Sequence, residues 1–208
     1  MTMKIDVYSD VICPWCYLGK KRLEAALEQW DGKADVRFLP YELNPGTPAE
    51  GLDHKAHLEA KFGGRHVLDA AHARLTALGK EVGIDYRFDD IQRTPNTFNA
   101  HRVLWLADQE GKGNAAHNAF FKAYFTDGKD LGDKKVLIEA ATSAGLDKTK
   151  VEKLLAGNGF EEEVRAAEEK AYDLGIQGVP FFVFNDKLAV SGAQSLEVFK
   201  KAVEQAGS

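Results

Sequence analysis

Two cysteines, Cys13 and Cys16, are the only ones in this 208-residue chain, and they enclose Pro14 and Trp15 in a Cys-x-x-Cys pattern. Two thiols at that spacing pass between dithiol and disulfide, so the chemistry they point to is thiol–disulfide exchange. A thiol at a helix start meets unpaired N–H groups and the positive end of the macrodipole, which favour the attacking thiolate. The second thiol lies one turn further in. The expectation is an exposed, attacking Cys13 and a buried, resolving Cys16, working through a mixed disulfide on Cys13 that Cys16 releases. Zinc would need two more soft ligands. No third cysteine exists and the histidines have no suitable context, so no metal is expected. A structural disulfide here would close only a tiny loop.

The elements that must position these thiols can be read from periodicity. Lys4 to Ser9 carries Ile5 and Val7 on one side and reads as a strand. Pro14 suits the first position of a helix, and Leu23, Ala26, Leu27 and Trp30 extend that helix to about Trp30. Val36 to Leu43 reads as a second strand, parallel to the first in a right-handed βαβ unit. Asn44-Pro45-Gly46-Thr47-Pro48 is a loop, and from Leu52 to about Gly175 helical periods dominate, with segments 53–62, 65–82 and 97–110 as clear helix formers. Strand character returns at Val179 to Phe184 and Leu188 to Val190, joined by a polar Asn185-Asp186-Lys187 turn. Ser195 is placed to cap a last helix whose Leu196, Phe199 and Val203 face inward. The fold class is therefore α/β, in the order β-α-β … α-β-β-α around a large all-helical insertion. The expected division is 1–44 with 160–208 as one domain and 45–159 as the inserted one, with function where they meet. On residues alone, Val179-Pro180 reads as a trans proline opening a strand.

Composition sets the remaining bounds. The chain is 44% hydrophobic and 28% charged, which suits a packed globular protein. A net charge of −5 speaks against general affinity for nucleic acid or an anionic membrane. No apolar run approaches the roughly 20 residues of a membrane span, and the first residues lack the pattern of a signal peptide. A cytoplasmic monomer or homodimer is expected. His54 and His57, at i and i+3, read as a solvated helix face, whereas Lys20, Lys21 and Arg22, near the thiols, read equally as a source of a little positive potential or as a solvated face.

Several motifs in one order add a resemblance. Asp6-Val7-Tyr8-Ser9-Asp10 precedes Cys13-Pro14-Trp15-Cys16, and Tyr17-Leu18-Gly19 follows it. Asn96 to Arg102, Gly178-Val179-Pro180-Phe181 and Ser191-Gly192-Ala193-Gln194 come later. Together they resemble the DsbA-like branch of the thioredoxin superfamily, most closely its FrnE-like members. The resemblance implies a thioredoxin-like fold, a cis Val179–Pro180 bond beside Cys13, and a Val179 backbone that pairs with an extended substrate segment. It implies protein or small-molecule thiols and disulfides as partners, and no tightly bound cofactor. The chain departs from the periplasmic oxidants in having Pro-Trp rather than Pro-His between the cysteines. A neighbouring branch, the kappa-class glutathione transferases and 2-hydroxychromene-2-carboxylate isomerases, binds glutathione and typically has serine at the first cysteine position. A glutathione-dependent isomerase or transferase is therefore the alternative. In either case Asn96, Thr97 and His101 are expected to contact substrate or a glutathione co-substrate, unless Asn96 and Thr97 only cap the helix after Pro95.

Overall fold

The computed structural model describes residues 2–207. The chain begins with β1 (Thr2–Ser9), α1 (Pro14–Leu27) and β2 (Lys33–Pro40). Then come β3 (Leu52–Asp53), α2 (His54–Phe62), α3 (Arg65–Glu81), β4 (Arg93–Thr94), α4 (Phe98–Gln109), α5 (Gly113–Phe125), α6 (Lys134–Ser143) and α7 (Lys148–Ala156). The chain ends with α8 (Glu161–Asp173), β5 (Phe181–Phe184), β6 (Leu188–Ser191) and α9 (Leu196–Gly207). Two compact units result. One joins the start of the chain, up to Leu43, to its end, from Glu162; the other is Asn44–Glu161. Among the described residues no helix is long and apolar enough to cross a membrane.

The first unit is built on a sheet of order β2-β1-β5-β6. β1 and β2 are parallel over their whole length, from Thr2 opposite Lys33 to Ser9 opposite Pro40, while β5 runs antiparallel to both of its neighbours. Alternation along the strands sends Met3, Ile5 and Val7 of β1 and Phe182 and Phe184 of β5 into one core. Leu23 and Ala26 of α1 and Phe199, Ala202 and Val203 of α9 close over it. The Phe182 and Phe199 rings meet edge to face at 4.8 Å. The β5–β6 turn puts Asn185 and Asp186 both at positive φ, 49° and 56°, which gives the primed turn that matches strand twist. Asn185 also accepts from the Lys4 amide at 2.8 Å and donates to the Ala206 carbonyl at 2.9 Å.

Two elements differ from the sequence reading by three residues. α1 ends at Leu27 rather than Trp30, because Gln29 and Trp30 bond back to Ala26 and Leu27 and tighten the last turn. β2 covers Lys33–Pro40 rather than 36–43. Beyond Pro40 only the Tyr41 amide still reaches β1, at Ser9 O; the Leu43 amide goes instead to the Asp10 carboxylate at 2.8 Å.

The second unit is helical, with one addition: the two-residue strands β3 and β4 pair antiparallel. Phe120, Phe121, Tyr124 and Phe125 of α5 are fully buried in it. Arg102, also buried, donates to the carbonyls of Leu154, Gly157 and Gly159, one in the last turn of α7 and two in the segment that follows it.

His54 is not on a solvated face. It is 8% exposed, its Nδ1 lies 2.9 Å from Thr94 Oγ1, and burial holds its pKa down to about 4. Two-residue strands leave no period in a sequence, so the residue that Thr94 and Tyr124 enclose carries no signal. The consequence is testable. Below its ordinary value the unfolded chain takes a proton at His54 that the folded chain refuses until about pH 4. Stability is thus complete above the ordinary histidine range and falls as pH drops toward 4, by about 2–3 kcal/mol for this one group. Burial pushes His57 and His72 down as well, so they act in the same direction. Urea midpoints measured across this range should fall less steeply for His54→Gln than for the parent; equal slopes would refute the assignment.

Candidate active site

Cys13 is the N-cap of α1, with extended backbone (φ −91°, ψ 111°), and Pro14 opens the helix where its missing N–H costs nothing. The preceding turn is fixed by the Cys13 amide bonding to Asp10 O at 3.0 Å. Cys13 and Cys16 are both free thiols and lie 3.3 Å apart. Trp15 and Pro14 are half-buried between them.

The Val179–Pro180 peptide bond is cis. Cys13 Sγ donates to the Val179 carbonyl at 3.5 Å. Cys13, Cys16, Val179 and Pro180 therefore form one constellation within the first unit. The closeness depends on Gly19: a Cβ there would lie 3.0 Å from Phe182, 3.1 Å from Pro180 and 3.4 Å from Ala193. On the same helix Arg22 Nη1 donates to the carbonyls of Ala193, at 2.9 Å, and Gln194, at 3.1 Å. The loop after β6 is tied to the proline loop by the Gly192 amide, which bonds Pro180 O at 2.8 Å. Gly178, Val179, Pro180, Ser191 and Gly192 are among the residues that line a groove of about 420 Å³.

Cys13 is 4% exposed rather than open to solvent, because its sulfur is turned onto the Val179 carbonyl. Cys16 is 2% exposed, and burial pushes its thiol well up, with the neighbouring Cys13 adding to the effect. The Ser9 hydroxyl and the Asp10 amide pull it the other way. Burial therefore favours the protonated form of Cys16.

The basic run on α1 divides in three ways. Lys20 is 1% exposed, not solvated; its amine lies 2.5 Å from Glu24 and burial pushes its pKa down to about 8. Its position was legible, since Cys16, Lys20, Leu23 and Leu27 fall at i, i+4, i+7 and i+11 on one stripe. Lys21 pairs with Glu24, and Arg22 binds the distant loop, for which no local pattern exists.

Asn96, Thr97 and His101 lie in the second unit. Asn96 has structural work at both ends of its amide: Oδ1 accepts from the Phe98 amide at 3.0 Å, and Nδ2 donates to Thr47 O at 2.8 Å. Thr97 is the N-cap residue of α4 without a side-chain cap bond, and both Thr97 and His101 are buried, at 3% exposure each. Among the described residues no cluster of three or more His, Cys, Asp or Glu is placed to hold a metal.

Known proteins are similar to this chain over nearly its whole length. The Bacillus subtilis protein YwbO is 28% identical over 204 residues, 98% of this chain and 96% of its own. The crystal structure of a probable DsbA oxidoreductase, SCO1869 of Streptomyces coelicolor, superposes with a TM-score of 0.92 at 37% identity, covering 99% of this chain and 90% of that one. The cytosolic disulfide reductase DsbM of Pseudomonas aeruginosa, solved with GSH, shares the fold with a TM-score of 0.67 at 17% identity, covering 97% and 98%. The profile of the DSBA-like thioredoxin domain matches residues 4–204, and the chain belongs to that family.

Proposed function

We propose that this chain is a thiol–disulfide oxidoreductase that exchanges disulfides with protein or small-thiol substrates through Cys13 and Cys16. The observation that carries the reading is the pair of free thiols 3.3 Å apart at a helix start, with the outer sulfur hydrogen-bonded to the carbonyl that precedes a cis proline. Cys13, at the helix terminus, attacks a substrate disulfide and forms a mixed disulfide. Cys16, whose burial keeps it protonated, acts second and displaces the substrate thiol. The Val179 carbonyl, which holds the Cys13 thiol at rest, is the acceptor that an extended substrate segment takes over, freeing the sulfur as it docks. Pro180 shapes the groove beside it. The cytoplasm is the compartment we assign, in line with the cytosolic relative DsbM.

The groove of about 420 Å³ lined by Val179 and Pro180 also favours a second reading, a glutathione-dependent isomerase or transferase, with glutathione as co-substrate. The two readings part at Cys16. Dithiol exchange requires it, whereas a glutathione-dependent turnover survives Cys16→Ala.

Two measurements test the first reading. Cys13→Ser should abolish reduction of a model disulfide, and Cys16→Ala should accumulate a covalent adduct on Cys13, visible as added mass in the intact protein. Exchange that persists in Cys13→Ser would sink it. Separately, Gly19→Ala sets a gain of up to about 1 kcal/mol in helix propensity against overpacking of about 1–3 kcal/mol. It should leave stability within about 1–2 kcal/mol while lowering kcat/KM for exchange severalfold, because Pro180 must move away from the helix. An unchanged kcat/KM would show that the proline loop need not sit this close.

A further inference from the structure

The connection from β6 to α9 is paired carbonyl by carbonyl. Ser191 O accepts from the Gln194 side-chain amide at 2.8 Å, and Gly192 O from the Gln194 main-chain amide at 2.9 Å. The next two acceptors, Ala193 O and Gln194 O, are both taken by Nη1 of Arg22, at 2.9 and 3.1 Å. Water can serve such carbonyls at a surface. Here a half-buried guanidinium from α1, 171 residues away in sequence from Ala193, serves them instead. It stands beside the start of α9, the positive end of that helix, where a cation does nothing for helix stability. The contact calls for another reason.

That reason is what the loop itself holds. The Gly192 amide donates to Pro180 O at 2.8 Å, and the adjoining Val179 carbonyl receives Cys13 Sγ at 3.5 Å. Arg22 lies on the helix that Cys13 caps. α1 therefore grips the Val179–Pro180 segment twice, directly through Cys13 and indirectly through Arg22 and the loop. In the exchange described above, an incoming segment takes the Val179 carbonyl from Cys13. The direct grip is then given up, and the two Arg22 bonds persist.

We propose that Arg22 is a positioning residue for extended polypeptide substrates, keeping Val179 and Pro180 in register with the thiols while the substrate main chain replaces the Cys13 contact. The proposal rests on the reading of Cys13 and Val179 given above. Arg22 acts through the loop, not on the reacting sulfurs. A segment that pairs with the Val179 main chain needs that carbonyl at a set place, because hydrogen bonds weaken steeply with poor geometry. A small disulfide makes no such pairing and needs only the sulfur. Packing at Gly19 against Pro180 and Ala193 limits how near the loop can come, and the Arg22 bonds limit how far it can retreat.

The test uses two probes that carry the same coloured aromatic thiol in disulfide linkage. One is a peptide with residues on both sides of its cysteine; the other is a single blocked cysteine. Cys13 attacks the cysteine sulfur and the aromatic thiolate leaves with the electron pair of the broken bond. Cys16 then displaces the peptide or the blocked cysteine as its thiol. The second-order rate of colour release by the reduced full-length protein is read as the ratio of peptide to single cysteine. The parent should favour the peptide. Arg22→Met, unbranched and without a donor, should lower the ratio about tenfold and leave the single-cysteine rate within about twofold, the scale of lost hydrogen bonds from a charged group. Arg22→Lys keeps the charge but not the fork, so its ratio should lie between the two. A ratio equal to the parent's in Arg22→Lys and Arg22→Met overturns the proposal, and Arg22→Lys decides alone if Arg22→Met does not fold. An equal fall of both rates overturns it too, since it marks a purely structural role, as does a parent with no preference for the peptide. A parent that releases colour from neither probe instead overturns the exchange reading itself, and the Arg22 role with it.

Discussion

How near the first helix comes to the proline loop is limited at Gly19, and the geometry of the thiols follows from that approach. Only a hydrogen projects there, with Pro180, Phe182 and Ala193 packed at what would be contact or closer for one added carbon. With the helix so close, Cys13 at its first turn meets the Val179 carbonyl at 3.5 Å. Arg22, nearly one turn further along, holds the same loop system by two carbonyls and so fixes a second point of the approach. Phe182 links this contact to the core, since it touches α9 through Phe199 on its other side. Close-packed interiors transmit such constraints because they have no slack to absorb them.

Behind the thiols a second set of interactions fixes the turn from which they project. After β2 leaves the sheet, three consecutive amides need acceptors. Tyr41 finds Ser9 O, Glu42 finds the Glu168 carboxylate at 3.2 Å, and Leu43 finds Asp10. Glu42 and Glu168 are both buried, and both are engaged by Arg165, at 2.6 and 3.0 Å. Half of the Arg165 side chain is open to water, so the ion pairs hold position more than they add net stability. The outcome is a segment whose hydrogen bonds are specified one by one, anchored to the residue that bonds the Cys13 amide.

Much of this was legible in the sequence, and the exceptions have physical causes. Cys13 and Cys16 declare themselves by type and spacing, β1 and α1 by their periods, and the β5–β6 hairpin by its Asn185-Asp186 turn. The βαβ pairing then follows from chain connectivity. The misreadings involve residues whose partners are far along the chain. Arg22 meets Ala193 and Gln194, and Leu43 meets Asp10, with no local pattern to announce either. Lys20 is the instructive case: type said surface, while its phase on α1 said core, and phase was right. The cis geometry of Val179–Pro180 is invisible in residue types alone and was expected only from the resemblance. Cys13 lies deeper than an attacking thiol was expected to, because a carbonyl acceptor from the other end of the chain takes up its sulfur.

The discontinuity of the first unit has a consequence for how the protein is made. Cys13 and Cys16 leave the ribosome well before Val179, Pro180 and the strands β5 and β6 of the same unit. The contiguous unit, Asn44–Glu161, has its whole sequence available before those strands are synthesised. During translation the two thiols therefore exist as an unassembled pair, next to a strand whose partner on one side has yet to be made. Their surroundings are complete only when the β5–β6 hairpin joins β1, after the Asn44–Glu161 unit has been made.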